Sequence, residues 1–357
     1  MNRLLLCLFV LATVNGLCAQ VTAQETEAAT RQYAVAVGFQ NQKLFDDAID
    51  EWKTFLRKYP KDPRVERANH YLGTCCLQER RFTEAIRALK LVTSQDFELL
   101  DQTLLNRGIA WYGQADKSKS ADDYESAAEA LGQMLTRFPK SKYVPRALYY
   151  RGESLYQLKR SREAATEFSR LSADFGDHEL AADALYALGT IHEDRKDPQE
   201  ALKAFQTFAT KYPAHELVTE VQMRRAQILF DAGEYATAAP IFAKVTRDSK
   251  FRMADVALVR QARCLYEQGQ LTEAARLYLE VPRQFRRSEH QNAALLAGAK
   301  CYFLDSKYTL ARSGFEQLIN RRGPEAAEAV QWLARSCLLY TSPSPRDVEE
   351  SRMPSSA

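Results

Sequence analysis

One pattern constrains this 357-residue chain more than any other. Mostly at intervals of 35 to 37 residues it returns to a small residue, an alanine twelve places later and a large apolar residue four places after that. The alanines are Ala48, Ala85, Ala127, Ala164, Ala201, Ala238, Ala274 and Ala311. The small residues run from Ala36 and Gly73 to Ala299, and the large ones from Trp52 and Leu89 to Phe315. Between these marks the apolar residues keep a helical period, and Pro60, Pro139 and Pro213 close three of the units. Two antiparallel helices approach closely only where their contacting residues are small, so the spacing predicts a chain of helix hairpins. A single such hairpin buries too little apolar surface to stand alone. Successive hairpins must stack, which gives a solenoid rather than a globule.

The segment "ADALYALGTIHEDRKDPQEALKAFQTFATKYP" (Ala182–Pro213) carries all the marks: Gly189, Ala201, Phe205 and Pro213. It resembles the tetratricopeptide repeat, whose 34-residue pattern has a small residue at position 8, alanine at 20, a large residue at 24 and proline at 32. Repeats in this register begin near residues 29, 66, 101, 145, 182, 219, 255 and 292. The resemblance implies an all-α, right-handed α-solenoid of about eight helix-turn-helix repeats over residues 29–336. The first helix of a ninth repeat, "PEAAEAVQWLARS" (Pro324–Ser336), follows. Asp197 is expected as an N-cap before Pro198, and the polar run "YGQADKSKSADDYES" as an inserted loop in the third repeat. The variant with "KYP" or "RFP" before the next hairpin resembles exported bacterial subfamilies. Among them are the outer-membrane assembly lipoprotein and the Tol–Pal-associated cell-division coordinator.

The ends differ from the middle. "MNRLLLCLFVLATV" has one arginine and then an apolar run too short to span a bilayer, followed by "VTA" ending at Ala23. This predicts a secretory signal peptide over 1–23 and a periplasmic, cell-envelope location. Cys18 raises lipidation as an alternative, against which Leu17 stands where lipoprotein signals carry Gly, Ala or Ser. Membrane association is expected only if Cys18 is lipidated. The last stretch, "CLLYTSPSPRDVEESRMPSSA" (337–357), leaves the helical pattern. It resembles the translation of a transposon-based sequencing adapter, which places the native sequence's break near Ser336.

Charge and motif content narrow the function. Net charge is +3, from 49 basic and 46 acidic residues interspersed along the chain, so no basic face for nucleic acid is expected. There is no phosphate loop, nucleophile elbow or HExxH run, and the five histidines fall in different repeats. His178 and His215 sit in linkers, where solvent-facing or capping roles suit them better than ligation. Cys75, Cys76, Cys264 and Cys301 lack metal-ligand spacing and read as small buried hydrophobes. No enzyme activity, cofactor or small-molecule substrate is expected.

What remains is surface. In the family that the chain resembles, positions 2, 5, 9 and 12 of each first helix line the concave face. That places Tyr112, Tyr149, Glu153, Tyr156, Tyr186, Gln227, Phe230, Arg263, Tyr266, Lys300 and Phe303 on a candidate partner-binding face. Aromatic anchors with polar residues between them suit capture of a peptide segment or an envelope protein. The alternative is that the same rings pack on neighbouring helices and hold the stack together. The expectation is an exported scaffold for protein–protein interaction. Its rivals are the N-terminal interaction module of a longer protein and a lipid-anchored assembly component.

Overall fold

The computed structural model describes residues 26–248 and 250–341. These are helices and short connections, with no strand among the described residues. The chain divides into two compact units between Ile191 and His192. In the first unit the first helices of the hairpins are α1 (26–41), α3 (Val65–Gln78), α5 (Leu100–Ser118), α7 (Val144–Gln157) and most of α9 (Ala181–Asp194). Their second helices are α2 (Phe45–Lys58), α4 (Phe82–Lys90), α6 (Ala121–Arg137) and α8 (Ser161–Asp174). The second unit holds α10 (Pro198–Lys211), α11 (Val218–Asp231), α12 (Tyr235–Thr246), α13 (Ala254–Glu267) and α14 (Leu271–Gln284). It closes with α15 (Gln291–Leu304), α16 (Tyr308–Asn320) and α17 (Ala326–Thr341). Each unit is an all-α helical-repeat solenoid.

The repeat register is written in the burial. All eight alanines at position 20 have 0 % exposure. The large residues at position 24, Trp52, Leu89, Leu131, Phe168, Phe205, Phe242, Tyr278 and Phe315, are no more than 4 % exposed. A Cβ on Gly108 would stand 2.4 Å from Leu131 Cγ, so the position-24 side chain presses directly on the small residue at position 8. First helices also meet across repeats, α3 with α5, α5 with α7 and α15 with α17.

The hairpin turns share one device. One or two places past the end of each first helix stands a left-handed residue: Lys43, Arg80, Lys119, Lys159, Lys196, Gly233, Gly269 and Ser306. A left-handed residue ends the helix and lets the chain reverse. The linkers between repeats share another. Asp62, Ser141, His178, His215 and Ser288 each accept, through the side chain, the N–H two residues on, at 2.9–3.2 Å. Their own N–H groups donate to the carbonyls of Tyr59, Phe138, Phe175, Tyr212 and Phe285. Of the two roles expected for the linker histidines, they take capping.

Three local expectations change. The polar run in the third repeat is not a loop: α5 has 19 residues and α6 has 17, where a standard repeat helix here has 14. Its alanines, lysines and glutamate extend both helices, and only Lys119 and Ser120 turn, with Ser120 Oγ accepting from the Asp123 N–H at 3.3 Å. Asp197 occupies the N-cap place before Pro198, yet its carboxylate caps nothing and lies 3.6 Å from His192 Nδ1. Finally, α17 continues to Thr341, past the change of composition at Cys337. The predicted signal peptide with Cys18, and residues 342–357 of the tail, lie outside the described residues.

Candidate interaction surface

The first-helix positions differ in how much they show to solvent. All eight position-12 residues, from Gln40 to Phe303, are half-buried. At position 9 the side chains are half-buried except Arg263, which is exposed. Position 5 turns further inward than expected, because the helices rotate that residue toward the neighbouring repeat. His70, Leu105, Met223 and Leu296 are buried, whereas Tyr33, Tyr149, Tyr186 and Val259 remain half-buried. A lining built from positions 9 and 12, with position 5 contributing only where it is a tyrosine or Val259, fits these exposures.

In the first unit, Tyr112 on α5 and Tyr149 on α7 both pack against the Tyr150 ring, at centroid distances of 5.4 and 5.5 Å. Tyr112 also meets Tyr124 of α6 at 6.0 Å, and Tyr149 meets the core ring Phe168 at 5.9 Å. Glu153 stands one turn along α7 from Tyr149. Burial, with the charge of Asp183 on α9 second, pushes the Glu153 carboxyl up to about 7. Burial and then the Glu153 charge push the Tyr112 and Tyr149 hydroxyls well above the usual phenol range. The structure thus gathers Tyr112, Tyr149 and Glu153 from neighbouring repeats. Tyr156 lies further along α7 with Lys159 Nζ 5.9 Å from its ring centroid, and Tyr186 lies on α9.

In the second unit the named residues are more engaged with their own chain. Phe230 sits edge-on to Tyr235 of its paired helix at 5.4 Å, beneath Arg260 at 4.9 Å. Phe303 repeats this with Tyr308 at 5.5 Å and adds Trp332 of α17 at 5.2 Å. Arg263 covers the Tyr266 ring at 4.8 Å and pairs with Glu267. Lys300 pairs with Glu328, and Gln227 donates to Asp231 at 2.7 Å. For Phe230 and Phe303, therefore, hairpin packing accounts for much of the ring.

The buried groups elsewhere suit a core. His70 Nδ1 meets Thr103 Oγ1 at 2.8 Å, and burial pushes the imidazole down to about 4, so it stays neutral. Cys75, Cys76, Cys264 and Cys301 are buried free thiols, all pushed up to about 11 or 12 by burial and so poor nucleophiles. Among the described residues no group of His, Cys, Asp and Glu is gathered that could hold a metal ion. Among them, too, no helix is long and apolar enough to cross a membrane.

Comparison with known proteins agrees with this architecture. The family model described as tetratricopeptide repeat matches residues 33–95, 112–174, 160–216 and 223–289. No curated protein matches the chain. Among solved structures, the C-terminal part of a TPR repeat-containing protein from Cytophaga hutchinsonii is 13 % identical, with a TM-score of 0.50. That match covers 73 % of this chain and 98 % of the other. A tetratricopeptide repeat protein from Parabacteroides merdae is 18 % identical, covering 76 % of this chain and 99 % of that one, with a TM-score of 0.47. YrrB, described as a TPR protein with an unusual peptide-binding site, is 16 % identical over 57 % of this chain and 97 % of its own, with a TM-score of 0.42.

Proposed function

This chain belongs to the tetratricopeptide repeat family, and from that premise we propose that it is a non-enzymatic scaffold that binds segments of other proteins on its first-helix face. One observation carries the proposal: the eight position-12 residues are all half-buried, and five of them, Tyr112, Tyr156, Phe230, Tyr266 and Phe303, are aromatic. Aromatic side chains held by packing, with one face left to solvent, offer large contact area at small entropic cost. Rings in both units also brace their hairpins, Tyr112 on Tyr124 as Phe230 on Tyr235 and Phe303 on Tyr308; the first unit differs in setting Glu153 beside its tyrosines.

A random-peptide display selection on the full chain tests this. The wild-type chain should retain peptides that a Tyr156→Ala plus Tyr266→Ala variant loses, while the variant's melting temperature falls by only a few degrees. Equal capture by a markedly destabilised variant would mean that the rings are core.

The location is part of the same proposal. The apolar N-terminal run with "VTA" before Gln24 supports export to the periplasm and a role among envelope proteins. The mass of the mature protein checks it. Cleavage before Gln24 removes Cys18 and with it any lipid anchor; a diacylated Cys18 would instead favour a membrane-tethered assembly component.

A further inference from the structure

The aromatic faces of the first helices are not all left bare, and the exceptions are informative. At position 9 of the seventh repeat, Arg263 lies over the Tyr266 ring at 4.8 Å. At the same position of the eighth, Lys300 lies over Trp332 at 5.3 Å. Arg260 covers Phe230 at 4.9 Å. In each case the chain sets a cation of its own against an aromatic ring. Where the third and fourth repeats meet, Tyr112 and Tyr149 have no such cation, and position 9 of the fourth repeat is Glu153; the cation of that repeat, Lys159, lies instead 5.9 Å from Tyr156. Among the described residues no lysine or arginine stands over Tyr112 or Tyr149, and Glu153 forms no ion pair.

A carboxylate next to tyrosine faces is the complement of a cation. The charge supplies a salt bridge and the ring quadrupoles supply cation–π attraction, both strengthened by partial burial. We propose that the half-buried surface where α5 meets α7, which carries Tyr112, Tyr149 and Glu153, takes a lysine or arginine side chain from the docked protein segment. This rests on the first-helix face being the protein-binding face and names the chemistry it selects. A metal ion is a poor fit, because hard cations require several oxygen ligands and no group of His, Cys, Asp and Glu that could hold one is gathered among the described residues.

Asp183 on α9 deepens the negative potential at Glu153, and Asp116 on α5 does so around Tyr112. The other titrating groups beside Tyr112 are Tyr124 of α6 and Tyr150 of α7. Burial holds the Glu153 carboxyl up to about 7. A docked cation favours the ionised form, so binding should tighten as the pH rises from 6 to 8.

The test is random-peptide display on the full chain, using wild type, Glu153→Gln and Glu153→Lys, with selected peptides resynthesised and titrated at pH 6 and pH 8. Wild type should select peptides carrying lysine or arginine. Glu153→Gln should bind them about tenfold more weakly at pH 8 and lose the pH dependence. Glu153→Lys, which supplies the missing cation from within, should no longer select basic residues. Peptides captured without basic enrichment, or bound equally by Glu153→Gln, would overturn this inference while leaving the scaffold reading intact. No peptide captured at all would overturn both.

Discussion

At the scale of single residues, the positions fixed by size alone were legible in the chain and those fixed by surroundings were not. Alanine at position 20 admits no larger side chain, because a second helix lies against it, so its recurrence exposed the hairpin. Gly108 is as tightly held: Gly108→Ala should cost about 1–3 kcal/mol by overpacking against the buried Leu131, read as a lowered denaturation midpoint. Glu153 and His70 carry no such mark, since their burial depends on rings and helices from adjoining repeats. Glu153 has a carboxyl raised in the folded chain, so folding is helped most when it is protonated. That help is complete below about pH 4.5 and is lost as the pH rises through about 7. Glu153→Gln should therefore match wild type near pH 4 and exceed its stability near pH 8, by on the order of 2 kcal/mol. Urea denaturation at the two pH values would decide it, and a variant weaker at pH 8 would mean that the carboxylate has a stabilising partner.

At the scale of elements, helix identity and pairing followed from the period, whereas helix ends did not. The extra residues of the third repeat are polar, which suggests a loop, but they are also helix formers; lengthening α5 and α6 keeps their backbone groups paired and uses one tight turn. The linker acceptors were equally hard to see, because Asp62, Ser141, His178, His215 and Ser288 share a role without sharing a residue type. The hairpin turns allow a sharper check. Gly233 is left-handed at φ +78° in open space, so Gly233→Ala should lose about 1 kcal/mol through backbone strain alone. Lys43, at φ 61°, poses the opposite case: Lys43→Gly should raise stability by up to about 1 kcal/mol. Thermal melts of both variants would show opposite shifts if the turn geometry is as described.

For the whole molecule, repetition explains why the fold was read so fully and the site only partly. A period that recurs eight times averages out local exceptions, and each hairpin needs its neighbours to bury an apolar face. A binding face has no such redundancy. Half-burial suits a ring to bind a partner or to brace a helix, and Tyr112 and Tyr149 pack on their paired helices as Phe230 and Phe303 do; what sets them apart is a neighbouring carboxylate, Glu153, where Phe230 has Arg260. The central claim is that a protein segment docks on the first-helix side of the first unit. Hydrogen exchange of the full chain, with and without a peptide selected on it, tests that most directly. The account predicts added protection in α5 and α7 around Tyr112 and Glu153, with little change in α6 and α8. Protection concentrated in α6 and α8 would contradict it.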